Sequence, residues 1–174
     1  MLSEAEIQHY HDFGYVIPEY RLPQATVEDI RAELERLLLI NPHLTADALF
    51  VPHAPQNNSQ GMRASNPQKW LQFARHKDIL AMVADLIGDD IILWGTTVFG
   101  KPALTGKATP WHQDGQYWPI QPLASCSAWI AIDEVNTENG CMRVIPSSHK
   151  GSSVLKHHTN PGTDLTLNQE LDKD

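Results

Sequence analysis

The spacing of apolar residues changes near residue 90, and this change limits the folds that the chain can adopt. Before that point, apolar residues recur with the spacing of amphipathic helices. After it, short runs rich in β-branched and aromatic residues alternate with Gly, Pro and Asn. Helices followed by strands predict an α+β fold with a mainly β, largely antiparallel core, and the short strand spacing favours a sandwich or barrel. A length of 174 residues predicts that residues 1–174 form a single domain.

Local signals set the ends of the helices in the first half of the chain. Ser3 and Glu6 have the spacing of a capping box, and Gly14 has the position of a helix C-cap. Residues 41–66 are rich in Pro and Asn and predict a long loop, a kind of segment that often forms a lid or a site wall. The predicted helices run from Ser3 to Gly14, from about Gln24 to Ile40, and from about Pro67 to Ile87 with a break near His76.

Most of the predicted strands lie in the second half of the chain. Asn139-Gly140 is a strong signal for a tight turn between two of them. From Gly151 onward the sequence is polar and shows little hydrophobic periodicity. The predicted strands are Tyr15–Ile17, Ile91–Phe99, the segment around residues 110–118, Ser127–Asp133 and Cys141–Ile145.

Composition and charge argue against several classes of partner. A formal net charge of −8 disfavours nonspecific binding to nucleic acid or to anionic membrane surfaces. No run of about 18 apolar residues occurs, so no membrane-spanning helix is predicted. The acidic start of the chain lacks the pattern of a secretory signal. Cys126 and Cys141 lie in apolar stretches without C-x-x-C spacing, so we expect reduced core thiols and a cytoplasmic protein.

The segment from Pro110 to Trp118 contains the candidate metal ligands of the chain. It contains His112 and Asp114, and on a strand residues i and i+2 point to the same face. An imidazole and a carboxylate placed in this way can occupy two adjacent positions on one metal ion, and a facial triad needs one further His. An H-x-D tripeptide also occurs by chance, and the alternative is a surface His beside a solvated Asp in a turn before Gly115.

Five spaced blocks include and follow this tripeptide. They are Phe99-Gly100-Lys101-Pro102, Trp111-His112-Gln113-Asp114, Ala128-Trp129-Ile130-Ala131-Ile132-Asp133, Glu138-Asn139-Gly140-Cys141-Met142 and Ile145-Pro146-Ser147-Ser148-His149-Lys150. In this order the blocks resemble the phytanoyl-CoA dioxygenase family, and the resemblance covers most of residues 1–150. It implies a double-stranded β-helix, or jelly roll, with the N-terminal helices packed on one sheet. It also implies oxygenase chemistry with Fe(II), 2-oxoglutarate and O₂.

The resemblance assigns roles to five residues. It implies that His112 and Asp114 are iron ligands, and that Thr97 and Trp129 line the co-substrate pocket. Arg63 corresponds loosely to a basic residue that reaches 2-oxoglutarate. The alternatives from the residues alone remain open: Trp129 as a packed core indole, Thr97 as an ordinary strand threonine, and Arg63 as a solvated loop cation.

The resemblance also implies a second half of the site that residues 1–174 do not supply. The family places a distal His on a later strand and, about ten residues after it, an Arg that clamps 2-oxoglutarate by a bidentate pair. The last arginine of the chain is Arg143, in an earlier block. His157 and His158 fall where the family has a loop and are interpreted as a solvated pair, and His149 as a structural residue. We therefore expect the third ligand, and the last strands of the jelly roll, beyond Asp174.

These observations predict an Fe(II)- and 2-oxoglutarate-dependent dioxygenase that hydroxylates or otherwise oxidises a small organic substrate. Because no basic cluster suits the phosphates of coenzyme A, a small metabolite or natural-product intermediate is favoured. One alternative is a jelly-roll metal enzyme that does not use 2-oxoglutarate, and another is a noncatalytic binding module of the same fold. The predicted partner is a small molecule, with no nucleic acid and no membrane, and the sequence carries no signal for an oligomeric state.

Overall fold

The computed structural model describes residues 1–44, 51–53, 62–118, 120–151, 153–163, 165 and 167–172. Within these residues the helices precede the strands, in agreement with the predicted α+β order. The elements are α1 (Glu4–Phe13), α2 (Gln24–Ile40), α3 (Pro67–Ala74), α4 (Lys77–Ile87), a 3-10 turn (Asp114–Gln116), β1 (His157–Thr159) and β2 (Gln169–Leu171).

The helices follow their local signals closely. At the start of α1, the Ser3 hydroxyl accepts the Glu6 N–H at 3.3 Å, while the Glu6 carboxylate accepts the Ser3 N–H at 2.8 Å. These reciprocal bonds form the predicted capping box. Gly14 ends the helix at φ +82°, and its N–H donates to the Tyr10 carbonyl. The predicted bounds of α2 are confirmed, and the break near His76 separates α3 from α4.

The core lies where α2 and α3 pack with the segments around Met62 and Val98. Asn41, directly after α2, is almost completely buried at 1% exposure. Its amide donates to the carbonyls of Leu37 at 2.8 Å and Arg63 at 2.9 Å, and its oxygen accepts the Arg63 N–H at 2.6 Å. The two bonds with Arg63 attach its backbone to the end of α2, and the bond to Leu37 fixes the Asn41 side chain there.

The predicted strands from residue 15 to residue 145 are not formed in the part of the chain that the structure describes. Strand geometry requires a hydrogen-bonded neighbour, and apolar content alone does not supply one. The described residues form one antiparallel pair, in which His157 of β1 lies opposite Leu171 of β2. This hairpin lies in the polar region after Gly151, where hydrophobic periodicity gave no signal. The described residues therefore do not form a jelly roll.

The Pro-Ser-Ser-His block covers the end of α1. The Ser147 N–H donates to the Phe13 carbonyl at 2.8 Å, and the Ser147 hydroxyl donates to the Asp12 carbonyl at 3.0 Å. The His149 ring lies 3.1 Å from the His11 carbonyl through Nε2. The last carbonyls of a helix have no partner within the helix, so this block satisfies them. The contact gives His149 the structural role expected from the sequence.

Three further expectations concern loops, membranes and cysteines. Residues 45–50 and 54–61 of the predicted long loop lie outside the described residues. The prediction that this loop forms a lid or a site wall therefore also falls outside them. No helix among the described residues is long and apolar enough to cross a membrane. Cys126 and Cys141 are half-buried free thiols. The Cys126 thiol contacts the Tyr10 hydroxyl, and burial raises the pKa of Tyr10 to about 12.

Candidate metal centre

The hairpin of β1 and β2 holds both ends of the segment that contains the H-x-D tripeptide. At one end, the Leu171 N–H donates to the Trp111 carbonyl at 2.8 Å. At the other end, the Gln169 N–H donates to the Tyr117 hydroxyl at 2.9 Å. Asp114 opens the 3-10 turn between these anchors, so the tripeptide ends in a turn and does not lie on the predicted strand.

His112 and Asp114 nevertheless point toward each other. His112 Nε2 lies 3.3 Å from Asp114 Oδ1, with the His112 side chain 18% exposed and the Asp114 side chain 52% exposed. His112 Nδ1 lies 2.8 Å from the Pro110 carbonyl. Because a carbonyl can only accept, Nδ1 carries the proton in this contact, and the lone pair of a neutral ring lies on Nε2. In metal sites, a histidine ligand typically donates its other ring N–H to such an acceptor, and this bond orients the ring.

This geometry fits two ligands of one metal ion. Donor atoms at adjacent positions of a metal with bonds of about 2.1 Å lie about 3 Å apart, close to the observed separation. Asp114 keeps a solvent-exposed side, and its Oδ2 accepts a long hydrogen bond of 3.4 Å from the Ser127 hydroxyl. Among the described residues, no group of three or more His, Cys, Asp or Glu side chains could hold a metal. The described residues thus contribute a pair of donors, and a triad needs a third from elsewhere.

Electrostatics in the metal-free site favour the protonated imidazole. The Asp114 carboxylate raises the pKa of His112, the Pro110 carbonyl adds to this effect, and burial opposes it. Both ring nitrogens face an acceptor, so the imidazolium satisfies both contacts at once. A metal ion bound at Nε2 would take the place of the proton that lies between the ring and the carboxylate.

We expect the Asp114→Asn substitution to lower the pKa of His112 in the metal-free protein. The carboxylate is the largest cause of the raised value, and an amide supplies no compensating charge. Because the folded pKa is raised, His112 contributes stability below its unfolded value of about 6.5, and this contribution is lost as the pH rises through the folded value. A histidine NMR titration measures the shift. An unchanged pKa in the variant would contradict the paired geometry.

The structure does not bring the other predicted site residues into this pair. Thr97 is exposed, next to the buried Val98. Trp129 is 48% exposed and so is not the packed core indole of the alternative interpretation. The side chain of Arg63 is exposed, although its backbone is held. No hydrogen bond or ion pair between described residues joins these three side chains to the tripeptide.

Some contacts of the site were not indicated by the sequence. The interpretation of His157 and His158 as a loop pair is wrong, because both lie on β1, although His158 is solvent-exposed as expected. His157 accepts the backbone N–H of Gln113, and His158 lies 2.8 Å from the Asp172 carboxylate. The guanidinium of Arg143 lies 5.6 Å from the centre of the Trp111 ring. These contacts join residues far apart in the chain, and no local spacing signals them.

The structure thus defines an α+β chain with a paired imidazole and carboxylate, a donor pair of the kind that mononuclear metal sites use. More particularly, the chain belongs to the phytanoyl-CoA dioxygenase (PhyH) family, whose sequence profile matches residues 10–172. The membership inferred from the five sequence blocks is therefore confirmed. No solved structure matched the chain.

Curated relatives carry related names. The Homo sapiens protein "Phytanoyl-CoA dioxygenase, peroxisomal" is 26% identical over 175 residues, covering 92% of this chain and 51% of that protein. The Caenorhabditis elegans "Probable phytanoyl-CoA dioxygenase" is 36% identical over 97 residues, covering 52% of this chain and 30% of the relative. The "Ectoine dioxygenase" of Streptomyces avermitilis is 23% identical over 155 residues, covering 86% and 52%. The chain spans about half the length of the human and Streptomyces proteins.

Proposed function

We propose that the protein is an Fe(II)- and 2-oxoglutarate-dependent dioxygenase that hydroxylates or oxidises a small metabolite or natural-product intermediate. The observation that carries the proposal is the 3.3 Å approach of His112 Nε2 to Asp114 Oδ1, with Nδ1 already bound to a carbonyl. Membership of the family and the dioxygenase names of its relatives support the same reaction class.

In this proposal the residues of the chain hold and orient the reactants. His112 Nε2 and Asp114 Oδ1 bind the metal, the Pro110 carbonyl sets the angle of the imidazole, and the Ser127 hydroxyl holds the second carboxylate oxygen. Bound Fe(II) supplies the oxidation chemistry, with O₂ as the oxidant and 2-oxoglutarate as the co-substrate that yields succinate and CO₂. Proton loss from His112 on metal binding keeps its lone pair available.

The remaining predicted residues enter as proposals. We propose that Trp129 and Thr97 line the co-substrate pocket. For Trp129 the support is its position two residues after Ser127, whose hydroxyl lies 3.4 Å from the Asp114 carboxylate. Arg63 is proposed to reach 2-oxoglutarate, and its fixed backbone supports a defined position. The third ligand is proposed to be a histidine outside the described residues, on a jelly roll of the kind the family adopts. The cytoplasmic location stays a prediction.

A noncatalytic binding module of the same fold is the second candidate. In that case the full-length protein would bind a small molecule without consuming O₂. A jelly-roll metal enzyme that does not use 2-oxoglutarate would consume O₂ with no succinate formed.

The test of the proposed function is succinate formation by the purified full-length protein. We expect slow turnover of 2-oxoglutarate to succinate that requires both Fe(II) and O₂, because the proposed reaction takes its oxidation chemistry from the metal and its oxidant from O₂. Omitting either component, or replacing Fe(II) by Zn(II), should abolish succinate, which chromatography with mass detection measures. Failure to form succinate, together with no heat of 2-oxoglutarate binding in calorimetry, would exclude the proposal.

A further inference from the structure

The ring of His157 bridges the hairpin and the middle of the H-x-D tripeptide. Its Nε2 lies 3.0 Å from the backbone nitrogen of Gln113, and its Nδ1 lies 2.7 Å from the Leu155 carbonyl. A backbone N–H can only donate and a carbonyl can only accept, so both ring nitrogens have defined roles. In these contacts Nδ1 donates to the Leu155 carbonyl, and the lone pair of Nε2 is directed at the Gln113 N–H.

Gln113 makes a second bond, to the segment directly before the hairpin. Its side-chain oxygen accepts the Leu155 N–H at 2.7 Å. Gln113 thus donates to one residue of the hairpin through its backbone and accepts from a nearby one through its side chain. The lone pair that His157 would need as a metal ligand is already engaged with the Gln113 N–H.

We propose that His157 is a positioning residue that sets the angle between the His112 and Asp114 side chains through the backbone of Gln113, which lies between them. This inference rests on the proposed metal site and deepens it. The Gln113 N–H belongs to the peptide that follows His112, and the Gln113 carbonyl begins the peptide of Asp114. Holding this N–H fixes the backbone from which both donor side chains project.

The backbone of a short turn can adopt several conformations unless other segments hold it. A segment that ends in a short 3-10 turn has no sheet ladder of its own to hold it, so its geometry depends on contacts from elsewhere. Groups that orient metal ligands without binding the metal typically change affinity about 10- to 100-fold when they are removed. Because His157 acts through one intervening residue, we expect an effect near the lower end of that range.

The test compares two substitutions of His157 in the full-length protein. His157→Leu removes the acceptor, whereas His157→Gln places an amide oxygen where it can accept the same N–H. His158→Leu is the matched control, since His158 is the next residue on β1 and its ring bonds Asp172 and not a residue of the tripeptide. The probes are Co(II) affinity and visible spectrum, with hydrogen exchange of the Gln113 amide measured by NMR.

We expect His157→Leu to weaken Co(II) binding about tenfold, to alter the Co(II) spectrum and to speed exchange at Gln113. His157→Gln should restore most of the affinity, and His158→Leu should leave both the affinity and the spectrum unchanged. The proposal is overturned if His157→Leu binds Co(II) like the unmodified protein, or if His158→Leu weakens binding equally, since general damage to the hairpin would then explain the loss.

A parallel titration of His112→Ala separates this inference from the proposed function. If His112→Ala loses Co(II) and His157→Leu keeps it, the metal site stands and the positioning role is wrong. If His112→Ala binds Co(II) as tightly as the unmodified protein, the metal site itself is wrong, and His157 has no donor pair to position.

Discussion

The His112→Ala variant of the full-length protein is expected to lose Fe(II) affinity by more than about 100-fold, together with all succinate formation. If His112 is a ligand as proposed, removing its imidazole deletes a metal bond, and the loss exceeds the 10- to 100-fold effect of removing a group that merely orients a ligand. Anaerobic Fe(II) titration measures the affinity, and mass detection measures succinate. Because His112 is only 18% exposed, thermal unfolding must also show that the variant keeps its fold.

A histidine outside the site provides the control for this prediction. His43 is exposed and follows α2, so His43→Ala should bind Fe(II) like the unmodified protein. Asp114→Asn should also weaken binding, because an amide oxygen carries no negative charge for the cation. Equal Fe(II) affinities in His112→Ala and His43→Ala would contradict the assignment of His112 as a ligand.

The Asn41→Ala variant is expected to lose about 3 kcal/mol of the free energy of unfolding. The side chain makes three hydrogen bonds at a site with 1% exposure, and water cannot readily replace them. Each buried polar group left without a partner costs about 1–3 kcal/mol, and relaxation of the backbone reduces the sum. Urea unfolding followed by circular dichroism measures the change as a shift of the midpoint.

Asn139 offers a matched comparison on the surface. Its amide donates to the Glu134 carbonyl at 2.7 Å, and its oxygen accepts the Asn136 N–H at 2.8 Å. Asn139 is exposed, so water can take over both contacts and Asn139→Ala should cost less than about 1 kcal/mol. If the two variants lost equal stability, burial of Asn41 would not be the cause of its effect.

The helices could be predicted because their signals act within a few residues. The capping box at Ser3 and the left-handed Gly14 each lie within one turn of the helix end that they define. The apolar stripe of α2 repeats on the scale of the helix itself, so its bounds from Gln24 to Ile40 were readable. Family membership was also readable, because spaced blocks in a fixed order are far more specific than one tripeptide.

The strands could not be predicted in the same way. A run such as Ile91–Phe99 has strand composition, but strand geometry also depends on a hydrogen-bonded neighbour that the run does not contain. The hairpin from His157 to Leu171 is polar and carries little periodicity, and its pairing comes from backbone bonds between separate segments. Composition therefore predicted strands in the apolar runs, whereas the described residues pair as strands in the polar segment after Gly151.

For the candidate site, the order of residues alone determined the identity of the donors and their separation by one residue. The chemistry of an imidazole and a carboxylate follows from His112 and Asp114 wherever the chain folds. Only the tertiary structure decided that the tripeptide ends in a turn held by a distant hairpin, and that His157 holds the residue between the two donors. The physical reason is distance along the chain: a hydrogen bond between segments more than 40 residues apart leaves no periodic trace in either segment.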